Sequence, residues 1–332
     1  MKAIDYESPT HKLKDVLFKV KLQPLYTQFQ FQGTEQPVNV HAPHLLALVN
    51  QDNGRIISVV SKNYKIITNE EALEMGKDIF VQLYPQVKKE ELLPYKIVAP
   101  GSLASAHIDL IHKDVNFEVW EQEKWLPFLR VTNSYNRTFA LSFEMGFVRK
   151  LCSNGVVFNK RTMKLKYVHD NSNRIKLKDD VGKVFAASDH FKEQCNQLRK
   201  FEIPEERMFP LLCHILRINL NVPERKQALK KLNYLGRLLA KVNELTEHYK
   251  ITLGMNAYTT FNVATDLVSH NDDYNVFPGY YLHVRSFFAR PTDWMEEFIN
   301  KANQNEVYLD ELLNPTISKL ENLKIETGFS WN

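Results

Sequence analysis

The chain has 332 residues, of which 44% are apolar, and its net charge is +4. This apolar content is enough to build a hydrophobic core and excludes a disordered or low-complexity chain. Glycine is sparse, with 11 residues, and no apolar run approaches the ~20 residues that span a bilayer. The first residues lack the apolar region of a secretory signal. We therefore expect a soluble cytoplasmic protein of one or two domains, with no membrane partner.

The first third of the chain predicts little regular structure before one clear helix. Residues 1–55 have no clear period, and we expect irregular structure with short strands there. Residues 55–67 are rich in β-branched side chains and predict one or two strands. Thr68 or Asn69 is a suitable N-cap for a helix that Pro85 ends.

Alternating apolar and polar residues from about 96 to 168 predict an antiparallel meander. The predicted strands cover residues 96–100, 106–112, 116–121, 125–133, 138–143, 146–151 and 163–169. Asn154-Gly155 predicts a tight turn, because these residue types tolerate positive φ.

From about residue 183 the apolar period becomes helical. The predicted helices cover residues 184–201, 204–218, 223–245, 256–270 and 294–325. The predicted fold class is α+β, with an antiparallel β-rich half, residues 1–185, packed with a mainly helical half, residues 186–332. No Gly/Ser linker separates the halves, so one interlocked domain is an equal alternative.

Positive charge is concentrated in residues 147–183, the basic segment. It holds ten basic and three acidic residues, a net charge of +7, whereas the rest of the chain sums to −3. Such clustering favours a polyanionic partner, and a solvated face without a partner is the alternative. Aromatic rings interleave the cations, a pattern typical of proteins that bind single strands. The candidate phosphate contacts are Arg149, Lys150, Lys160, Arg161, Lys164, Lys166, Arg174 and Lys176, and the candidate stacking residues are Tyr135 and Tyr167.

The sequence contains no Walker A, Rossmann, HExxH or GxSxG motif, so the common ATPase, dehydrogenase, zincin and hydrolase classes lose their support. The three cysteines are odd in number and widely spaced. That spacing favours buried free thiols over disulfides or a zinc site.

Two histidine pairs are the remaining candidates for metal binding or catalysis. His41 and His44 lie in a proline-containing segment without a nearby carboxylate. His107 and Asp109 share one face of a predicted strand, and an enzyme would need a further group there, such as Glu118. Because neither pair supplies enough ligands, we predict no metal, no cofactor and no catalytic residue, and an enzyme is the third hypothesis.

Three short motifs resemble the phage/plasmid-like family known as domain of unknown function 932. The first is Ser58-Val59-Val60-Ser61-x-x-Tyr64-Lys65 with Asn69-Glu70-x-Ala72. The second is Asn133-Ser134-Tyr135 with Ala140-Leu141, Arg149 and Cys152-Ser153-Asn154-Gly155. The third is Thr260-x-Asn262-Val263-Ala264-Thr265-Asp266 with His270. Two departures mark a divergent member: Val263 and Ala264 are exchanged, and Asn136-Arg137 replaces the family's usual Asp-Gly.

The resemblance implies a gene product of a phage, plasmid or prophage that works in the cytoplasm of a bacterial host. It implies no catalytic residue, because the family has no settled biochemical role. Our first hypothesis is an accessory protein that binds nucleic acid, preferably single-stranded DNA, in recombination, replication or protection of the element. The second is a protein-binding inhibitor of a host defence system. Either protein can be a homo-oligomer, but no sequence feature requires assembly.

Overall fold

The computed structural model of the chain describes residues 4, 8–33, 36–157, 164–166, 181–221, 225–277, 284–305 and 307–331. Its strands are β1 (Val20–Phe29), β2 (Val38–Asn50), β3 (Ile56–Ser61), β4 (Leu93–Val98), β5 (Ser105–Ile111), β6 (Phe117–Trp120), β7 (Glu123–Ser134), β8 (Ser142–Arg149), β9 (Gly155–Val157) and β10 (Lys164–Lys166). Its helices are α1 (Ser8–Val16), α2 (Asn69–Leu83), α3 (Val181–Leu198), α4 (Met208–Ile215), α5 (Arg225–Leu253), α6 (Ala257–Ser269), α7 (Asn271–Tyr274), α8 (Val284–Ala302) and α9 (Tyr308–Thr327). The predicted α+β class is confirmed.

Within the described ranges the strands form two antiparallel sheets. The larger has the order β10-β8-β7-β5-β4, with β6 paired to β7 and β9 to β8, and the smaller is β1-β2-β3. The larger sheet contains the predicted meander, but predicted strands 138–143 and 146–151 are the single strand β8, and strand β9 was not predicted. Gly146 does not interrupt this strand. A Cβ there would lie 2.3 Å from Phe128 Cζ, so the sheet interior needs glycine at this position.

Helix α2 begins and ends where the sequence predicts. Thr68 Oγ1 accepts the Glu71 N–H at 3.1 Å, and the Glu71 carboxylate accepts the Thr68 N–H at 2.7 Å, which completes a capping box. Gly76 allows α2 to approach the sheet closely, because a Cβ there would lie 2.4 Å from Val131 Cγ2. Helix α2 therefore covers one face of the larger sheet.

One hydrophobic cluster joins the two halves of the chain. Phe191 of α3 contacts Trp125 of β7 and Phe147 of β8, with ring centroids 4.9 and 5.2 Å apart. The opposite face of the sheet receives Phe288 of α8, whose ring centroid lies 4.6 Å from the Arg130 guanidinium carbon. The helical half thus packs directly on the strands.

The prediction of irregular structure for residues 1–55 is wrong, because β1 and β2 pair as a long antiparallel ribbon. The pairing shifts register between Pro24 and Tyr26, where proline removes a ladder hydrogen bond. Beyond that shift, residues 26–29 and 38–41 are exposed on both faces. A strand that is solvated on both faces has no apolar–polar alternation for the sequence to reveal.

The turn before β9 also differs from the prediction. Ser153 adopts the positive φ of this turn, at 48°. Asn154 is buried behind it, and Gly155 already begins β9. The predicted turn therefore exists, but Ser153 carries the conformation that was expected of Asn154-Gly155.

Candidate nucleic-acid interface

The basic segment is described only in part. Lys150 is exposed at the end of β8, and the backbones of Lys164 and Lys166 lie on β10. The remaining predicted contacts, Lys160, Arg161, Tyr167, Arg174 and Lys176, lie outside the described residues. Two further members of the predicted set, Arg149 and Tyr135, are buried.

Arg149 is a correction to the predicted phosphate contacts. Its Nε and Nη2 donate to the two carboxylate oxygens of Glu123 at 2.5 and 2.7 Å, and both side chains are 3% exposed. Tyr258 OH and Trp125 Nε1 also donate to Glu123 Oε1, at 2.7 and 3.2 Å. Arg149 Nη1 donates to Cys152 Sγ at 3.3 Å. With its donors occupied inside the protein, Arg149 joins the sheet to α6 and cannot reach a phosphate.

Tyr135 is the second correction. The side chain is fully buried, and its ring packs against Phe18 with centroids 5.7 Å apart. Its hydroxyl oxygen accepts the backbone N–H of Asn69 at 3.0 Å, and burial raises the pKa of Tyr135 to about 12. The ring has no free face on which a base can stack.

Asn154, Asn262 and Asp266 of the second and third family motifs belong to a buried network. Asn154 Nδ2 donates to Tyr249 OH at 2.8 Å and to the carbonyl oxygen of Asn262 at 3.2 Å. Tyr249 OH donates in turn to Asp266 at 2.6 Å. These hydrogen bonds hold the turn before β9 against α5 and α6, so these motif residues stabilise the scaffold.

Strand β10 completes a row of alternating charge across the larger sheet. Lys96, Asp109, Arg130, Glu144 and Lys164 occupy successive opposite positions on β4, β5, β7, β8 and β10. Directly opposite residues of antiparallel strands share one face, so the side chains of Asp109, Arg130 and Glu144 lie together. Arg130 binds the buried Asp109 carboxylate through two hydrogen bonds of 2.6 and 2.7 Å. The Asp109–Arg130 pair of this row is fully buried, so these two charges serve the fold and are not presented to solvent.

The enzyme hypothesis named His107, Asp109 and Glu118 as its example of a catalytic constellation, and these three side chains do not meet. His107 Nδ1 lies 2.9 Å from Thr132 Oγ1, and Asp109 is occupied by Arg130. Glu118 pairs with Lys124 at the surface, 3.1 Å away. Positions 124 and 130 are six residues apart on β7, about 20 Å along a strand.

An open cleft forms where the first two family motifs meet at the end of the larger sheet. Its volume is about 330 Å³, and Tyr64, Lys65, Asn133, Arg137 and Phe139 line it. We call it the motif cleft. Tyr64 OH donates to the carbonyl oxygen of Ser134 at 3.3 Å, and Asn133 Nδ2 donates to the carbonyl oxygen of Ile67 at 2.9 Å. These bonds hold the loop after β3 against the end of β7.

Two cations of the motif cleft are available to a ligand. Lys65 and Arg137 are exposed, and neither has a carboxylate partner within the described part of the chain. The described lining contains no Asp or Glu. The Arg137 guanidinium carbon lies 5.7 Å from the centroid of the Tyr64 ring. Burial raises the pKa of Tyr64, and the charge of Arg137 opposes that rise. The cleft therefore offers two unpaired cations beside an aromatic ring.

The backbone of Arg137 is strained. Its φ is +62°, in the left-handed region that costs a residue with a Cβ about 1–2 kcal/mol. This is the position at which the family's usual sequence has glycine. Sequence reasoning missed Lys65 and Arg137 as site residues, although the exchange of Asp-Gly for Asn136-Arg137 was the signal that could have found the latter.

The motif cleft lies beside the described strand of the basic segment. Leu141 lines the cleft, and the next residue, Ser142, is opposite Lys166 of β10. Cα atoms that are opposite in antiparallel strands lie about 5 Å apart. The backbone of β10 therefore runs next to the lining of the cleft.

The described residues lack two further features. They contain no group of three or more His, Cys, Asp or Glu residues that could hold a metal ion. No helix in the described part of the chain is long and apolar enough to cross a membrane.

Comparison with known proteins identifies the family of the chain. No curated protein and no solved structure matches the chain. The family model of the domain of unknown function DUF932 matches residues 56–305, a range that contains the motif cleft, the buried network and the basic segment. The chain belongs to the DUF932 family.

Proposed function

We propose that this protein is a nucleic-acid-binding accessory protein of a mobile element, and that single-stranded DNA is its preferred ligand. It acts in recombination, replication or protection of the element, in the cytoplasm of a bacterial host. The observation that carries the proposal is the motif cleft, where Lys65 and Arg137 have no carboxylate partner among the described residues. The assignment to a phage or plasmid rests on the family resemblance alone.

Electrostatics favours a phosphate ligand. Two unpaired cations and the absence of a lining carboxylate among the described residues give the motif cleft a positive potential. Lys166 follows at a backbone position next to the cleft, and Lys164 lies two residues before it. Cations along a groove attract the phosphate backbone and release its counterions, which makes binding weaken steeply with salt.

The shape of the cleft favours an unpaired strand. A volume of about 330 Å³ can accept one base and its phosphate, but not a base pair within a duplex. Tyr64 and Phe139 place aromatic surface beside the cations. Stacking of a base on such a ring contributes about 1–3 kcal/mol and has little sequence preference. We therefore expect single strands to bind more tightly than duplexes.

Fluorescence anisotropy with a labelled oligonucleotide tests the proposal. Single-stranded and duplex forms are titrated at two salt concentrations with wild type, a Lys65→Ala/Arg137→Ala variant and a Lys164→Ala/Lys166→Ala variant. The matched control is Lys230→Ala/Arg237→Ala, which removes the same charge from exposed positions on α5. The expected result is salt-sensitive binding that prefers single strands, weakens in both test variants and persists in the control.

Equal loss in the control would show that only overall charge matters, and would contradict a site at the motif cleft. Absence of binding by wild type at low salt would contradict the nucleic-acid function as a whole.

A second candidate function, protein binding without a nucleic-acid role, is favoured by the ribbon of β1 and β2. Its distal part exposes five large apolar side chains, with exposed fractions of 59% for Tyr26, 54% for Phe29, 50% for Phe31, 47% for Val38 and 38% for Val40. An exposed apolar patch of this kind is typical of protein interfaces. The host-defence inhibitor of our second hypothesis, or a homo-oligomer, can use this surface.

A Tyr26→Ser/Phe29→Ser variant separates these alternatives. Loss of a stoichiometric, nuclease-resistant host partner, with DNA binding unchanged, would support the inhibitor. A change in molar mass by light scattering would instead identify the partner as a second copy of this chain.

A further inference from the structure

A second cleft lies in the helical half, where the end of α4 meets α8 and α9. Its volume is about 350 Å³. Its lining includes Arg217, Leu220, Arg290, Trp294, Glu297 and Lys319. We call it the helical cleft. None of its lining residues belongs to the motif cleft.

Three cations of the helical cleft have no carboxylate partner among the residues that the structure describes: Arg217, Arg290 and Lys319. Glu297 of the same lining is already paired, at 2.6 Å from Lys301. Asp293 is the remaining carboxylate of the described lining. Positive charge therefore exceeds negative charge in the cleft.

Arg290 is held in place by contacts that do not neutralise its charge. Its Nη1 donates to the carbonyl oxygen of Leu216, and its guanidinium carbon lies 5.0 Å from the centroid of the Phe287 ring. Its Nε is buried and has no hydrogen-bond partner in the described part of the chain. Burial, and then the charge of Arg217, lower the pKa of Arg290. A guanidinium that is fixed and unpaired is preorganised for an anion.

Arg217 reaches the cleft through a strained backbone. The N–H groups of Arg217 and Ile218 donate to the carbonyl oxygens of His214 and Cys213 at 3.0 and 2.8 Å, which ends α4 in a Schellman motif. The left-handed position of that motif usually holds glycine, but here Arg217 occupies it with φ +52°. Arg137 in the motif cleft has the same unusual conformation, and strained residues of this kind concentrate at binding sites.

The floor of the helical cleft is apolar. Leu220 and Trp294 are buried, with exposed fractions of 4% and 5%, and Trp294 Nε1 has no hydrogen-bond partner among the described residues. An apolar floor beneath a few fixed polar groups is the usual construction of a small-molecule site. Inorganic phosphate alone would leave this floor unused.

We propose that the helical cleft binds a small organic oxyanion, whose phosphate or carboxylate contacts Arg217, Arg290 and Lys319 while its apolar body lies against Trp294. This second site is separate from the proposed nucleic-acid function.

The proposal is tested by calorimetric titration with phenyl phosphate, benzoate and inorganic phosphate. The variants are Arg217→Gly and Lys319→Ala, which we expect to fold: glycine suits the left-handed backbone at 217, and Lys319 is exposed. Lys230→Ala, from an exposed position outside the cleft, is the control. We expect an aromatic oxyanion to bind more tightly than inorganic phosphate and to quench tryptophan fluorescence. Each variant should weaken binding about tenfold, and the control should not.

The comparison of phenyl phosphate with benzoate identifies which oxyanion the cleft accepts. Absence of binding by all three compounds would overturn the proposal. So would equal binding by wild type, Arg217→Gly and Lys319→Ala. DNA binding is also measured on Arg217→Gly and Lys319→Ala. If these variants lose DNA affinity and the small anions do not bind, the cations of the helical cleft belong to the nucleic-acid site. That result would also overturn the proposal of a small-anion site.

Discussion

Arg137 and Arg149 lie at opposite ends of β8 and have opposite environments. Arg149, at the end of the strand, is 3% exposed on its side chain and fully hydrogen-bonded to Glu123. Arg137, in the loop before the strand, is exposed, has no carboxylate partner among the described residues and has a strained backbone. Both arginines lie within the stretch of sequence that the second family motif covers.

The difference shows how to separate cations that build this fold from cations that can bind a ligand. A fully buried guanidinium such as that of Arg149 must be paired, because an unpaired buried charge costs several kcal/mol. An exposed guanidinium held by a strained backbone has no such structural reason to be present. We therefore expect changes at Arg149 to alter stability and changes at Arg137 to alter binding.

The largest expected effect is a loss of stability at the end of β8 where Arg149 is buried. Glu123→Ala leaves Arg149 buried without its partner and removes the acceptor of Tyr258 OH. We expect a loss of about 3–5 kcal/mol in the free energy of unfolding, measured by urea denaturation. The control is Glu118→Ala, which breaks the surface pair with Lys124 and should cost less than about 1 kcal/mol. Equal losses in the two variants would contradict the distinction.

An intermediate effect is the change of stability with pH that the buried His107, near Arg130 of the charge row, should cause. Burial, and then the charge of Arg130, lower the pKa of His107 to about 3. Between that value and about 6.5 the unfolded chain binds a proton that the folded protein does not, so stability falls as the pH is lowered. The loss is about 1.4 kcal/mol per pH unit below 6.5. The free energy of unfolding is measured at pH 7 and pH 5 for wild type and His107→Gln. Between these pH values wild type should lose about 2 kcal/mol more than the variant. Equal losses in the two proteins would contradict this.

The smallest expected effect is a gain of stability at the end of β8 where Arg137 is exposed. Arg137→Gly relieves a left-handed backbone, and we expect the free energy of unfolding to rise by about 0.5–1 kcal/mol. Lys65→Gly is the control, because Lys65 does not have positive φ, and glycine there should lower stability through its greater freedom in the unfolded chain. A loss of stability in Arg137→Gly would show that the arginine side chain supports the fold.

The sequence predicts local features of this fold well. The capping box of α2 lies within four consecutive residues, Thr68 to Glu71, so its signal is complete in the local pattern. The meander is similarly visible, because its strands alternate or carry β-branched runs. The ribbon of β1 and β2 was missed since its distal residues are solvated on both faces and have no alternation.

The candidate site was predicted less well, because a charge pattern shows cations but not their partners. Arg149 lies within the basic segment, yet its partner Glu123 is 26 residues away. Tyr135 is satisfied by Asn69, 66 residues away. Conversely, Lys65 lies outside the basic segment and becomes a candidate only because folding brings the loop after β3 to the end of β7.

Salt-dependent binding of single-stranded DNA by Arg137→Gly tests the central claim most directly, since we expect this variant to keep its fold while it loses the Arg137 cation. We predict weaker binding than wild type and a plot of log affinity against log salt whose slope is smaller by about one. Wild-type affinity and slope in Arg137→Gly would contradict the claim that the exposed end of β8 is the binding end.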